Sequence, residues 1–268
     1  MIKNVLTIGG SDSSGGAGIQ ADLKTFSAIG VYGMSVITAL TAQNTTGVHS
    51  AHTPPADFLQ DQINSVFNDI PPAALKIGML SNADVIRGVV NSLSHYHCPH
   101  IILDPVMVSS TGHNLLDLEA IETLRDTLLP LTTMVTPNLT EVAVLLNTRI
   151  PTSREEMLTA AQELKQHSNN HVLLKGGHLS DSGSPDLLLT ADGKEHWFET
   201  PRINTKNTHG TGCTLSAAIA SFLAKNDGDV FDAVTQAKHF VTEAIKHADE
   251  LNVGSGSGPT HHFAHIWA

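Results

Sequence analysis

Two glycine clusters mark where this chain is able to do chemistry. The first, Gly9-Gly10-Ser11-Asp12-Ser13-Ser14-Gly15-Gly16-Ala17-Gly18, puts five glycines into ten residues directly after an apolar run. Without β-carbons, backbone N–H groups can approach a ligand closely, at an entropic cost that a plain connection has no need to carry. Gly10 and Gly15 have the spacing of a P-loop, but Gly16 stands where that loop requires lysine, so the P-loop reading fails. Gly16-Ala17-Gly18-Ile19-Gln20-Ala21 has the form of a dinucleotide fingerprint. It lies well beyond the preceding strand candidate, and Thr38 occupies the region where the ribose-binding acid is sought.

The second cluster, His209-Gly210-Thr211-Gly212-Cys213-Thr214, leads straight into the helical run Leu215-Ser216-Ala217-Ala218-Ile219-Ala220. A helix start carries unpaired N–H groups and partial positive charge, so it can hold an anion without lysine or arginine. Cys213 sits in that same field, which is expected to lower a thiol's pKa and suit it to act as base or nucleophile. The plainer alternative is a small cysteine packing the helix against a sheet. Cys98 has no comparable surroundings and reads as structural.

Capture of an anion by backbone suits the composition. The 268 residues carry 15 Lys+Arg against 26 Asp+Glu, a net charge of −11, and no basic block. That balance argues against nucleic acid or an anionic membrane as partner. Sixteen histidines soften the charge only below neutrality. Two distant cysteines exclude a disulfide scaffold and a Cys-rich zinc site, and point to a reducing, cytoplasmic setting. The amino terminus has no signal-peptide core, and no apolar run approaches the ~20 residues of a membrane helix.

The elements that must position these residues follow a βα rhythm. Strands are expected at 5–8, 35–40, 75–77, 101–103, 134–136 and 172–174, with helices at about 18–29, 55–67, 82–94, 117–128, 140–146 and 154–167. The strands are continuous Val/Ile/Leu runs, as in a parallel sheet covered by helices on both faces. After Lys175 the pattern changes: 187–190 and 196–199 flank Ala191-Asp192-Gly193-Lys194, which predicts a hairpin and an antiparallel edge. Helices at about 211–224 and 229–251 close the chain. The tail, with Gly254-Ser255-Gly256-Ser257-Gly258-Pro259, has linker composition, yet Phe263 and Trp267 beyond it are expected to pack back. With no repeat or long linker, one domain over 1–268 is expected. In such sheets ligands bind beyond the carboxyl ends of the strands, which is where both glycine clusters fall.

These blocks, together with Thr41-Ala42-Gln43-Asn44, Asp104-Pro105-Val106-Met107, Thr136-Pro137-Asn138-Leu139-Thr140-Glu141, Leu174-Lys175-Gly176-Gly177-His178, Asn204 to Thr208 and Gly258-Pro259-Thr260-His261-His262-Phe263, resemble the bacterial hydroxymethylpyrimidine/phosphomethylpyrimidine kinases of thiamine biosynthesis, in the ribokinase superfamily. The likeness spans essentially the whole chain, in order. It implies a three-layer αβα sandwich, ribokinase-like, with a mostly parallel sheet. It implies an ATP-dependent kinase, with Mg²⁺, that phosphorylates 4-amino-5-hydroxymethyl-2-methylpyrimidine and then its monophosphate, acting as a cytoplasmic homodimer.

Residue by residue, the resemblance puts Gln43 on the ring's amino edge, where an amide offers both donor and acceptor, and Gly10, Ala17, Met79, Val106 and Cys213 around the same pocket. Met79 and Val106 would otherwise be assigned to the core, and Gln43 to a strand end. Asp104 and Glu141 become ligands near Mg²⁺. Asn138, Thr208 and Gly210 go to the nucleotide, Lys175 to its phosphates, and the N–H groups of Gly210, Thr211, Gly212 and Cys213 to the transferring phosphoryl group. Alternatively, Asn138 and Thr140 cap the following helix. Most of the superfamily has Asp in place of Cys213. Ser109-Ser110-Thr111-Gly112 reads as a mobile active-site loop, where several relatives carry a lysine before the glycine. His261 and His262, adjacent in a tail, suggest no zinc site.

Three other readings compete: a pyridoxal or pyridoxine kinase of the same superfamily, a thiol hydrolase using Cys213 with His209, and a non-catalytic pyrimidine-binding protein.

Overall fold

The computed structural model describes residues 1–107, 116–168, 170–177, 179 and 184–267. The expected active-site loop at 109–112 lies outside them. Among the described residues nine strands form one sheet in the order β3-β2-β1-β4-β5-β6-β7-β8-β9. They are β1 (Asn4–Asp12), β2 (Tyr32–Asn44), β3 (Gly47–His52), β4 (Ala74–Ile77), β5 (Ile101–Leu103), β6 (Met134–Val135), β7 (His171–Leu174), β8 (Asp186–Leu189) and β9 (Glu195–Phe198). The five pairings from β2 through β1, β4, β5 and β6 to β7 are parallel; β2/β3, β7/β8 and β8/β9 are antiparallel.

Helices α1 (Gly18–Ile29), α7 (Thr211–Lys225) and α8 (Val230–Lys246) cover one face of the sheet; α2 (Ala56–Asp69), α3 (Ala83–Leu93), α4 (Leu118–Thr123), α5 (Leu139–Leu146) and α6 (Arg154–Gln166) cover the other. Alternate strand residues feed the two layers: Leu6, Ile8, Leu103 and Leu174 pack on the α2–α6 side, and Val5, Ile102 and Leu173 on the other. Burial on both faces explains why these strands are unbroken apolar runs. Helix α7 is buried nearly all round, and its small residues Ser216, Ala217, Ala218 and Ala220 let it lie close between sheet and outer helices.

Four differences from expectation have physical causes. Strand β1 runs on to Asp12, past a bulge at Gly9/Gly10, because the first glycine loop still pairs with β2. Strand β3 gives the sheet a second antiparallel edge; it lacks an apolar run because its face is open to solvent. Residues 117–128 form α4 and then a π turn over Leu124–Leu128. Finally, α8 stops at Lys246 and a single 3₁₀ turn follows. The tail does pack back, but through buried Thr260, His261 and His262; Trp267 stacks on Phe263 and stays 65% exposed.

Candidate active site

The carboxyl ends of the parallel strands and the start of α7 enclose a cleft of about 460 Å³. Glycine is required where the two clusters meet. Gly210 caps α7 with φ 81°, and a β-carbon there would stand 1.9 Å from Gly16 O. Gly18, with φ 55°, would meet Gly10 O at 2.3 Å. The backbone of one loop therefore seats directly on the other.

The first helical bond of α7 runs from Thr214 N to Gly210 O (2.8 Å), so the Gly212 and Cys213 N–H groups precede it, at the positive end of the helix. Thr211 departs from expectation: its N–H donates to Thr208 O (3.2 Å), as does its hydroxyl (2.7 Å), so that N–H is turned away from a ligand.

Facing the helix start is a buried charge cluster. A β-carbon on Gly212 would lie 3.5 Å from Lys175 Nζ and 3.6 Å from Asp104 Oδ2, which places both charges against the first turn of α7. Lys175, at the end of β7, is 3.1 Å from Asp104 Oδ1 and 3.9 Å from Glu141 Oε2. Burial opposes its charge, but Asp104 and Glu141 hold its proton and push its pKa above the ordinary lysine range. Asp104 also accepts from Thr136 Oγ1 and Ser216 Oγ, both at 3.3 Å. Burial works against its charge too, and Lys175 and Lys76 more than offset this, holding the carboxyl below its usual range.

Glu141 and Asn138 form a reciprocal cap on α5: Asn138 Oδ1 accepts from Glu141 N (2.8 Å) and Glu141 Oε2 accepts from Asn138 N (2.7 Å). The capping alternative therefore holds for Asn138, which nevertheless lines the cleft. Burial pushes the Glu141 carboxyl up to about 7, with Lys175 pulling the other way.

Cys213 corrects a further expectation. Its thiol is pushed up to about 11, chiefly by burial; Lys76 pulls it down, and Asp22 and Asp104 push it up. The helix-start field does not yield an acidic thiol here, because the cost of desolvating a thiolate exceeds it. The His209 Nε2 sits 3.0 Å from Asp12 Oδ2 and 3.2 Å from Gln43 Nε2.

Gln43, Gly10, Ala17, Met79 and Val106 line the same cleft. Met79 and Val106 are only half-buried, so they belong to the cleft rather than the core. Thr208, Gly210, Thr211 and Gly212 line the cleft as well, as do Asp104, Asn138, Glu141, Lys175 and Cys213.

Two features escaped the sequence reading. Beneath the site, Lys76 Nζ donates to both oxygens of Asp22 (3.0 and 2.8 Å), and Thr7 Oγ1 donates to Asp22 Oδ2 (2.6 Å), with Lys76 and Asp22 almost wholly buried. The signal was present: a lysine inside an apolar strand and an aspartate on the buried face of α1. The second is a pocket wall of β8 and α8, where Lys238 pairs with Asp186 (2.5 Å) beside Val241, Thr242 and Ile245.

For a cation, the donor set has the right chemistry. Among the described residues no group of three or more His, Cys, Asp or Glu is placed to hold a metal. Asp104 and Glu141 are hard oxygen donors, and Mg²⁺ commonly takes one or two carboxylates and completes its shell with phosphate and water, so the residues fit.

Known proteins resemble this chain over nearly its whole length. The family model described as phosphomethylpyrimidine kinase matches residues 12–261. A hydroxymethylpyrimidine/phosphomethylpyrimidine kinase of Salmonella typhimurium is 50% identical over 264 residues, 98% of each chain. The crystal structure of phosphomethylpyrimidine kinase from Clostridium difficile superposes with a TM-score of 0.80 at 44% identity, covering 92% of this chain and all of that one. Pyridoxal kinase from Staphylococcus aureus in complex with AMP-PCP superposes with a TM-score of 0.90 at 34% identity, covering 100% of this chain and 96% of that one.

Proposed function

The chain belongs to the phosphomethylpyrimidine kinase family, and from that premise we propose how its cleft transfers two phosphoryl groups in succession. It is a hydroxymethylpyrimidine/phosphomethylpyrimidine kinase with ATP as co-substrate. The pyridoxal kinase of Staphylococcus aureus is a more distant relative, at 34% identity against 50% for the Salmonella typhimurium kinase, and membership of a kinase family sets the thiol-hydrolase reading aside.

One observation carries the proposal: the start of α7 faces Lys175 and Asp104 across Gly212, in a cleft that continues to Gln43. The Gly210, Gly212 and Cys213 N–H groups take the transferring phosphoryl group. Charge stabilisation of this kind is the main task in phosphoryl transfer. Lys175 supports the same charge, while Asn138, Thr208 and the α8 wall take the nucleotide. Asp104 and Glu141 would hold Mg²⁺, which, when bound, neutralises phosphate charge.

At the other end Gln43 orients the ring so that its hydroxymethyl oxygen reaches the γ-phosphorus. The oxygen–phosphorus bond forms as the bond to ADP breaks, and the hydroxyl proton passes to the minor thiolate form of Cys213, which leaves it as the neutral thiol. In the second transfer the nucleophile is a phosphate oxygen already largely ionised, since its second pKa is about 6. We also propose that residues 1–268 act as one domain, which the single sheet supports, in a cytoplasmic homodimer. No helix among the described residues is long and apolar enough to cross a membrane.

Phosphorus NMR of MgATP with the aminopyrimidine alcohol tests the activity: monophosphate and then diphosphate signals are expected. Unconsumed ATP, or a soaked nucleotide whose terminal phosphate rests away from the start of α7, refutes it.

A further inference from the structure

Gln43 is held from several sides. Ser13 Oγ donates to its carbonyl (2.8 Å) and accepts from its N–H (2.9 Å), which anchors the backbone. Its side-chain amide spans Thr41 Oγ1 and His209 Nε2, each at 3.2 Å, with Oε1 placed at Thr41 and Nε2 at His209, an orientation that the hydrogens of these neighbours reverse. The oxygen and nitrogen ends of an amide have nearly the same shape, so the neighbours decide which end lies where.

Both neighbours require the same orientation. Asp12 accepts from Ser14 N, Ser14 Oγ, Gly16 N and Ala17 N, at 2.8, 2.7, 3.0 and 2.8 Å. Although burial opposes its charge, these bonds and His209 hold its carboxyl well below the usual range. A carboxylate only accepts, so His209 Nε2, 3.0 Å from Asp12 Oδ2, carries a hydrogen and offers no lone pair to an amide N–H. Thr41 has one hydroxyl hydrogen, which goes to Ser11 O at 2.8 Å, so it meets Gln43 as an acceptor. The histidine itself is seated: His209 N donates to Gly258 O (3.0 Å), and a β-carbon on Gly16 would stand 2.5 Å from His209 Cδ2.

We infer that Asp12, His209 and Thr41 are positioning residues that lock the Gln43 amide with Oε1 toward His209 and Nε2 toward Thr41, making the site selective for one order of donor and acceptor along the substrate's ring edge. Nε2 keeps one N–H free, and Oε1, which only shares with Asp12 the one hydrogen on His209 Nε2, keeps a lone pair free. An exocyclic amino group beside an unprotonated ring nitrogen satisfies both. An exocyclic carbonyl beside a ring N–H presents the reverse order and mispairs at both ends. The ring cannot escape by turning over, because its hydroxymethyl group must stay at the start of α7 and a C–H edge would then face Gln43. This rests on the reading of Gln43 as the ring contact.

Neutron diffraction from crystals of the perdeuterated full chain, without substrate, tests the lock directly. Deuterons are expected on the amide atom facing Thr41 and on His209 Nε2; deuterons on the amide atom facing His209 overturn the inference. Steady-state kcat/KM for the aminopyrimidine alcohol and its 4-oxo counterpart tests the consequence. The wild type is expected to prefer the amino ring by about 10²-fold or more, because the carbonyl ring leaves two partly buried amide groups mispaired. Thr41→Val with His209→Leu is expected to lower that ratio by roughly tenfold or more, because the amide can then turn, while Thr41→Ser preserves it. An unchanged ratio in the folded double variant overturns the inference. Should the double variant not fold, Thr41→Val alone is expected to lower the ratio several-fold, and no change there overturns it equally. If the wild type phosphorylates neither ring, the function proposed above fails, while the neutron result still decides the orientation.

Discussion

Replacing Cys213 by alanine separates the two chemical steps. With the thiol pushed up to about 11 by burial, about one enzyme molecule in 3,000 carries a thiolate at pH 7.5. A proton acceptor so sparsely ionised imposes a slope: alcohol phosphorylation should rise about tenfold per pH unit up to the limit of enzyme stability. Phosphorylation of the monophosphate should level off above pH 7, once its own oxygens are ionised near a pKa of about 6. Loss of a positioned base costs about 10²- to 10⁴-fold, so Cys213→Ala should slow the first transfer by that factor and the second only several-fold. Cys213→Asp should flatten the pH dependence of the first transfer, because a carboxylate is already ionised across the range. Rapid-quench single turnovers with labelled ATP, run separately on alcohol and monophosphate from pH 6.5 to 9.5, measure both. Equal losses on the two acceptors, or a flat profile for the alcohol with wild-type enzyme, would refute the assignment of Cys213 as proton acceptor.

Three further outcomes follow from the same geometry. Gly210→Ala forces a β-carbon onto Gly16 O and should abolish measurable transfer and lower the melting temperature; an active, equally stable variant argues against the seating of one loop on the other. Lys76→Met strands the buried Asp22 carboxylate and should cost about 3–5 kcal/mol in urea unfolding, whereas Lys76→Met with Asp22→Asn should cost much less; equal costs would show that the pair is not coupled. Burial pushes the His262 imidazole down to about 4, so the folded state gives up protons that the unfolded state binds. The His262 contribution to stability should therefore be full above pH 6.5 and fall by about 3 kcal/mol as pH drops to 4, while Glu141, pushed up to about 7, works in the opposite direction between pH 7 and 4.5. His262→Gln should remove most of that dependence in urea titrations.

How far the fold could be foreseen depended on burial. Strands β4, β5 and β7 lie between two helical layers, and their continuous apolar runs announced them within a residue or two. Strand β3 is solvent-facing, and its sequence, Gly47-Val48-His49-Ser50-Ala51-His52, carries no apolar pattern; only the extension of β2 beside it makes it a strand. The same contrast holds in the site. Gly210 and Gly18 stand out in sequence because their backbone conformations tolerate no side chain, and Gln43, Asp104 and Lys175 follow from their places within matched motifs.

By itself, then, the sequence determined the βα order and the glycine-rich start of the penultimate helix, because propensity, periodicity and glycine spacing are local properties, while the residues assigned around that start came from resemblance to a known family. Tertiary structure alone decided the pairing of Lys76 with Asp22, the turn of Thr211 toward Thr208, the reach of His209 to Asp12, and a Cys213 thiol that stays protonated. Each of these depends on which charges and carbonyls lie within a few ångströms across the fold and on how much water has been removed between them, quantities that no spacing along the chain encodes.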